Sequence, residues 1–439
     1  MMRIAYLIPG CGVSGGIAVI CQQANRLLRR GHEVLLVCET DERTVEWFPE
    51  QKVPVIGLSE YPANIDALIA TGWSTSFRVA TLPAHRKFYF VQSDETRFHP
   101  KHSAWEHITR LSYTLGFNFI TEARWIKAWL KESFGKDAEL VPNGLDEKIF
   151  FPAEPLQVKG KKPRILLEGA IGLPYKGMME AFAAVSGLDV EVWCVSSYGK
   201  PEKHWKCERF FEQVPMTEMR RIYSSCDILV KLSRVEGFFG PPMEMMACGG
   251  AVIVGKVTGY DEYIEDDKNA LVVDATDVAQ ATNAIRRLID DKALRERLIQ
   301  AGMTTARQWQ WESSIDVLER YIGDVIDGRR GIATTTSMND VALSVAFFYA
   351  QLRGIALTPV TAVVPEEAAA SDQYEKVEND TRLLSVSKPR ASSASPTAVL
   401  ATSAVDPTEK LLYWLRHQSW FASIARLAFR IYHQYKANR

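Results

Sequence analysis

Several features are scarce in this sequence, and each scarcity excludes something. Net charge is almost nil, with 52 lysines and arginines against 53 aspartates and glutamates. No overall field therefore favours nucleic acid or any strongly charged partner, and nucleic acid is not an expected partner. No uninterrupted apolar stretch is long enough to cross a bilayer. The opening run Met-Met-Arg-Ile-Ala-Tyr-Leu-Ile is too short for a signal-peptide core and has strand length instead. A cytoplasmic protein is expected, soluble or peripheral on the inner face of the membrane. The seven cysteines (Cys11, Cys21, Cys38, Cys194, Cys207, Cys226, Cys248) lack metal-ligand spacing, are odd in number and sit mostly in apolar runs. That pattern fits buried, reduced thiols better than a disulfide framework. An Asp-x-Asp motif in a metal-binding context is also missing, so no metal site is expected.

What is present is a repeated alternation of short apolar runs with amphipathic stretches. Arg3–Ile8 reads as a buried strand, Pro9–Gly16 as a glycine-rich turn and Ile17–Arg30 as a helix ended by Gly31. Strands follow at His32–Val37, Lys87–Val91, Asn118–Thr121 and Glu139–Val141, with a helix over Ala123–Phe134 closed by Gly135. Residues 153–163, rich in proline and lysine, read as a linker between domains. A second series then begins with strands at Arg164–Glu168, Val190–Val195, Ile228–Leu232 and Ala251–Gly255, and helical patterns run from Asp277 to about Gly328. Strands separated by helices imply parallel βαβ units. The expected fold class is α/β: two doubly wound, Rossmann-like domains, 1–152 and 164–330, facing each other across a cleft. Residues 331–409 read as a helix (Met338–Leu357) and a low-complexity linker. Residues 410–439, with six basic and no acidic side chains, read as a basic amphipathic helix.

The densest chemical signal runs from Glu236 through Gly237, Phe238, Phe239, Gly240, Pro241, Pro242, Met243 and Glu244 to Ala247-Cys248-Gly249. It follows an apolar strand and opens a helix, with Pro241 in the first turn and Gly249 placed to end it. A helix start presents unpaired N–H groups and partial positive charge, a natural seat for a diphosphate. Two carboxylates bracketing such a seat are poorly placed to bind phosphate but well placed to accept hydrogen bonds from sugar hydroxyls. Alone, either glutamate reads as a helix-start or loop acid; the whole stretch favours function.

These residues resemble the signature of retaining glycosyltransferase family 4. The resemblance implies a GT-B fold whose second domain holds a nucleotide-diphosphate sugar and whose first domain faces the acceptor. It implies that Glu236 touches the donor sugar and Glu244 the nucleotide ribose, with Gly237, Phe238, Phe239, Gly240 and Pro241 lining the donor. The family carries glycine where Phe239 stands. Tyr175-Lys176-Gly177 resembles the family's lysine-glycine step, which puts Lys176 on the donor diphosphate; the arginine usual a few residues earlier is absent from Gly169–Pro174. Val141-Pro142-Asn143-Gly144-Leu145-Asp146 is similar to the segment ending the first domain, with Asn143 on the donor, though an ordinary Asn-Gly turn is the equal alternative. Gly15-Gly16 matches the family's diphosphate or acceptor loop. Phe90–Pro100 is similar to the corresponding loop of rhamnosyltransferase-like members that build bacterial surface glycans, which makes Asp94 and His99 acceptor-side candidates against the reading of a plain solvated loop. Such enzymes need neither metal nor cofactor beyond the nucleotide sugar.

Two other readings stay open. Gly10-Cys11-Gly12-Val13-Ser14-Gly15, with Glu39 closing the next strand, also fits a dinucleotide fingerprint and hence a flavin or nicotinamide oxidoreductase. A binding or scaffold protein that keeps the fold without turnover is the other. The acceptor is read as a glycan or lipid-linked molecule, and the helix at 410–439 either meets an anionic membrane surface or packs on protein.

Overall fold

The computed structural model describes residues 1–48 and 50–330; the expectations for 331–439 lie outside them. The chain forms strands β1 (Arg3–Ile8), β2 (Glu33–Cys38), β3 (Val55–Gly57), β4 (Ala67–Ala70), β5 (Arg86–Val91), β6 (Asn118–Thr121) and β7 (Ala138–Leu140). Between them run helices α1 (Gly15–Arg29), α2 (Trp73–Thr81), α3 (Ala104–Ser112) and α4 (Arg124–Phe134). The strands pair in parallel in the order β3-β2-β1-β4-β5-β6-β7. Ile4, Tyr6 and Ile8 pack with residues of α1, and the intervening Ala5 and Leu7 are equally buried. Burial on both faces is what a parallel sheet covered by crossover helices requires, and it explains the near-continuous apolar runs.

The second sheet contains β8 (Arg164–Glu168), β9 (Glu191–Ser196), β10 (Arg209–Glu212), β11 (Ile228–Lys231), β12 (Ala251–Gly255) and β13 (Leu271–Val273), with α5 (Met178–Val185), α6 (Met216–Ser225), α7 (Gly240–Ala247), α8 (Val278–Asp290) and α9 (Lys292–Arg307). Its order is β10-β9-β8-β11-β12-β13, again parallel. Strand order reverses between β1 and β4 in the first sheet and between β8 and β11 in the second. At such switch points the loops leaving adjacent strands diverge and open a crevice at the carboxyl ends.

The last helix, α10 (Trp311–Ile326), lies within the range expected for the second domain but packs on the first. Trp311, Ile315, Leu318, Ile322 and Val325 recur at helical spacing and join α1 and the first sheet in one core. Burying these side chains is worth on the order of 10 kcal/mol gross. Arg30 of α1 adds ion pairs to Glu312, Asp316 and Glu319. Two strands of chain thus cross side by side: the Leu145 amide donates to the Trp309 carbonyl at 2.8 Å, and Leu145 pairs with Gln310. No helix among the described residues is long and apolar enough to cross a membrane.

Candidate functional site

The segment between β11 and α7 meets the carboxyl ends of β5 and β6 through specific contacts. Trp125 Nε1 donates to the Gly237 carbonyl at 2.9 Å, and the Phe238 amide donates to Glu122 Oε1 at 3.0 Å. Ser93 Oγ reaches the Glu236 carbonyl at 3.5 Å, and Arg97 Nη1 donates to Thr258 Oγ1 at 3.1 Å. Gly237 is essential to this approach. A Cβ there would lie 1.8 Å from the Gln92 carbonyl oxygen.

Glu236 sits at this junction. Its Oε2 accepts from Lys176 Nζ at 2.8 Å, while its Oε1 faces Lys231 Nζ at 3.8 Å. Oε1 is buried and has no hydrogen-bond donor of good geometry, although the Ser233 hydroxyl favours the ionised form. Burial pushes the Glu236 carboxyl up, but Lys176 and Lys231 together outweigh it and hold the group below the usual carboxylate range. Lys176 stands on a short 3₁₀ turn, Pro174–Lys176, ended by Gly177 at φ 64. A side chain at Gly177 would strike the Leu232 carbonyl at 2.0 Å, so the glycine after the lysine is what lets this turn rest on the end of β11.

Glu244, in the second turn of α7, accepts from Tyr223 Oη at 2.9 Å. Burial pushes its carboxyl up to about 7, against the Tyr223 hydrogen bond and Lys231 and with the help of Glu168. Both signature glutamates therefore belong to one charge cluster, in opposite protonation regimes. The helix tip between them is a poorer anion seat than its position suggests. Pro241 and Pro242 carry no N–H, the Gly240 amide donates to the Phe238 carbonyl at 3.1 Å, and the Phe239 carbonyl accepts from Tyr263 Oη. Phe239 itself is 1% exposed and packs in the core, which removes its side chain from any donor contact. Phe238 stacks obliquely with Tyr263 and Trp309.

Asn143 is 4% exposed, and its Nδ2 donates to Glu122 Oε2 at 2.9 Å. It thus braces the carboxylate that receives the Phe238 amide. Burial pushes Glu122 up to about 8, against the Asn143 and Phe238 hydrogen bonds. Gly15 and Gly16 form the start of α1. Gly15 is open to solvent, and a Cβ at Gly16 would lie 3.0 Å from Gln92 Oε1, so that glycine admits the loop after β5. Asp94 caps the short turn Glu95–Phe98 by accepting from the Thr96 amide at 3.2 Å, a local structural bond. His99 packs edge-on against Trp73. Glu39, the acid a dinucleotide site would place on a ribose, is instead buried beside Arg78 at 3.7 Å.

Sequence reasoning passed over several residues of this cluster. Lys231 is hidden inside an apolar strand run, Glu168 closes another, and Glu122 stands one residue beyond a third; all three lie at carboxyl ends of parallel strands, which was the available signal. Glu95 was passed over too. It is half-buried, accepts from the Trp73 amide at 2.8 Å and Tyr89 Oη at 3.2 Å, and desolvation pushes its carboxyl up to about 7. Among the described residues one group of donors is close enough to share an ion: Cys11, Cys38 and Glu42, with the two sulfurs 3.8 Å apart. They are 27 residues apart in the chain and meet because the loop after β1 folds over the end of β2.

Residues 205–305 match the family model described as glycosyl transferases group 1. The chain is 22% identical over 415 residues to the D-inositol 3-phosphate glycosyltransferase of Acidothermus cellulolyticus, covering 74% of this chain and 89% of that protein. It is 31% identical over 157 residues to the O-antigen chain mannosyltransferase B of Escherichia coli, covering 35% of this chain and 40% of the relative. Among solved structures it superposes on Anabaena Alr3699/HepE in complex with UDP and glucose with a TM-score of 0.61 and 15% identity, over 74% of this chain and all of that one. The fold is GT-B, and the chain carries a glycosyltransferase group 1 domain.

Proposed function

We propose that this glycosyltransferase-type chain is a retaining, metal-independent enzyme of family 4. It would move a sugar from a nucleotide-diphosphate sugar to a glycan or lipid-linked acceptor in bacterial surface polysaccharide synthesis. The observation that carries the reading is Glu236. This buried carboxylate is held ionised by two lysines at the junction of the two sheets, with one oxygen left without a good donor. Breaking the bond between the anomeric carbon and the diphosphate oxygen builds positive charge on the sugar and negative charge on the leaving group. Glu236 offsets the first charge and orients the sugar hydroxyls. Lys176 turns from Glu236 to the diphosphate and offsets the second. Glu244 meets the ribose diol from its place beside Tyr223. The acceptor hydroxyl attacks from the face the diphosphate leaves, its oxygen bonds to the anomeric carbon, and the departing phosphate takes its proton. No cofactor beyond the donor takes part in this scheme.

The likeness of the fold to a protein solved with UDP and glucose supports trying uridine donors first. Purified full-length chain is incubated with a panel of UDP-, GDP- and dTDP-sugars, and released nucleoside diphosphate is measured. Turnover with at least one donor is expected. Glu236→Ala should lose about 100-fold or more of kcat with an unchanged circular dichroism spectrum; wild-type turnover in that variant refutes the assignment.

A further inference from the structure

At the switch point of the second sheet two opposite charges stand at the ends of adjacent strands. Lys231 closes β11 and Glu168 closes β8, one step beyond the last registered pair, Val230 and Leu167. Lys231 is 3% exposed. Its ammonium donates to the Glu168 carboxylate and to the Glu168 carbonyl, the latter at 3.2 Å. The same nitrogen lies 3.8 Å from Glu236 Oε1. Ile228, Leu229 and Val230 before it are apolar and wholly buried, as a central parallel strand requires. Packing alone would be met by another apolar residue here, and burying an ammonium costs several kcal/mol before pairing offsets it. A cation at this position needs an electrostatic reason.

The two lysines beside Glu236 differ in freedom. Lys176 stands on a surface turn with its side chain 21% exposed, whereas Lys231 is pinned from below by Glu168 and enclosed. If Lys176 moves to the donor diphosphate, Glu236 loses its nearest cation at the moment its negative charge is needed. We infer that Lys231, anchored by Glu168, is the positioning residue that keeps Glu236 ionised and oriented while Lys176 is engaged by the diphosphate. This rests on the donor-site reading above.

The groups facing Glu236 are Lys176 and Tyr175 from the segment after β8, Lys231 and Ser233 from the end of β11, Glu122 from beyond β6 and Tyr263 from beyond β12. Only the two lysines are cations. Lys231 itself is held above the usual lysine range, because Glu168 and Glu236 outweigh the effect of its burial, so it stays charged throughout the working pH range.

The test uses the full chain and the donor that turns over fastest in the panel above, at saturation, with kcat measured from the lowest pH at which the protein stays folded up to pH 9. Lys231→Met removes the charge; Lys231→Gln removes it but retains a donor for Glu168; Lys231→Arg restores it. In the neutral variants the acid limb of kcat should move up by about one pH unit or more, so that on the acid side of the limb the rate falls by up to about tenfold relative to wild type and the difference vanishes toward pH 8.5. Lys231→Arg should keep the wild-type limb, and donor KM should change less than kcat. A neutral variant that is folded and slower but has an unmoved limb overturns the inference, as does failure of both neutral variants to fold, which would make Lys231 a structural residue. Glu236→Ala and Lys176→Met run alongside: if they turn over like wild type, the donor-site reading itself has failed, whereas their loss with an unmoved Lys231 limb refutes only this inference.

Discussion

Gly237→Ala is the most severe small change this site offers. The added methyl would lie 1.8 Å from the Gln92 carbonyl oxygen and 2.9 Å from Glu122 Oε1. A carbon and a carbonyl oxygen settle no closer than about 3.3 Å, so the two backbone segments must part by roughly 1.5 Å. That separation breaks the Trp125–Gly237 hydrogen bond and stretches the Glu122–Phe238 bond, each worth about 0.5–1.5 kcal/mol net. The Cβ lies outside both sheet cores, so the loss of stability should stay near that sum. The effect on rate should be much larger, because displacing reacting groups by about 1 Å costs roughly 100-fold and Glu236 is the adjacent residue. Steady-state nucleoside diphosphate release and thermal denaturation, run on the same preparation, separate the two effects. Gly237→Ala is expected to lose about 100-fold in kcat/KM while its melting temperature falls only a few degrees. Wild-type kinetics in a folded Gly237→Ala protein would refute the claim that this contact sets the position of Glu236.

Two further outcomes follow from the same structure. Burial raises the Glu122 carboxyl to about 8; a raised acid binds a proton in the folded state that the unfolded chain releases. The resulting cost begins as pH climbs through the unfolded value of 4.5, is only partial at pH 5.5 and is full above pH 8. Glu122→Gln should therefore raise denaturant stability by on the order of 1–3 kcal/mol more at pH 8.5 than at pH 5.5, and an equal gain at both pH values would contradict this. Gly144→Ala would set a methyl 2.3 Å from the Trp311 amide nitrogen, prying apart the two crossing segments. A loss of about 2–4 kcal/mol with release of α10 from the first sheet is expected, read as faster proteolysis between Gln308 and Trp311; unchanged protection speaks against the crossing.

Much of the scaffold was legible because parallel strands buried on both faces announce themselves as apolar runs. Asn118–Thr121, Arg164–Glu168 and Ala251–Gly255 stand as read. β4, at the centre of the first sheet, was passed over because Ala67–Ala70 is half alanine, a residue with little strand preference, and β3 is only three residues long. The return of α10 to the first domain could not be read from a continuous helical pattern running to Gly328, since which body an amphipathic stripe covers is decided by the partner surface. The prolines at 241 and 242 could have been read further: a helix beginning with two residues that lack N–H offers dipole but few donors. Lys231 was invisible for the opposite reason, because a single charge in a strand-like run gives no hint that Glu168 and Glu236 will be folded around it.

The distribution of protonation across the site is its most informative property. Four carboxyls, Glu122, Glu168, Glu236 and Glu244, converge with two lysines. Were all four ionised, the cluster would carry excess negative charge where the proposed donor would bring a diphosphate. Burial instead pushes Glu122 to about 8 and Glu244 to about 7, while the lysines hold Glu236 below its ordinary range. Near neutrality Glu236 is a carboxylate, while Glu122 is largely and Glu244 partly an acid. Environments that drive similar groups apart in this way assign them different tasks. A protonated Glu244 can donate as well as accept, which suits a diol, and a fixed anion at Glu236 suits a sugar whose positive charge exists only in the transition state. In the proposed reaction the same partition would lower the electrostatic barrier to an entering diphosphate, with Lys176 crossing to it while Lys231 stays behind.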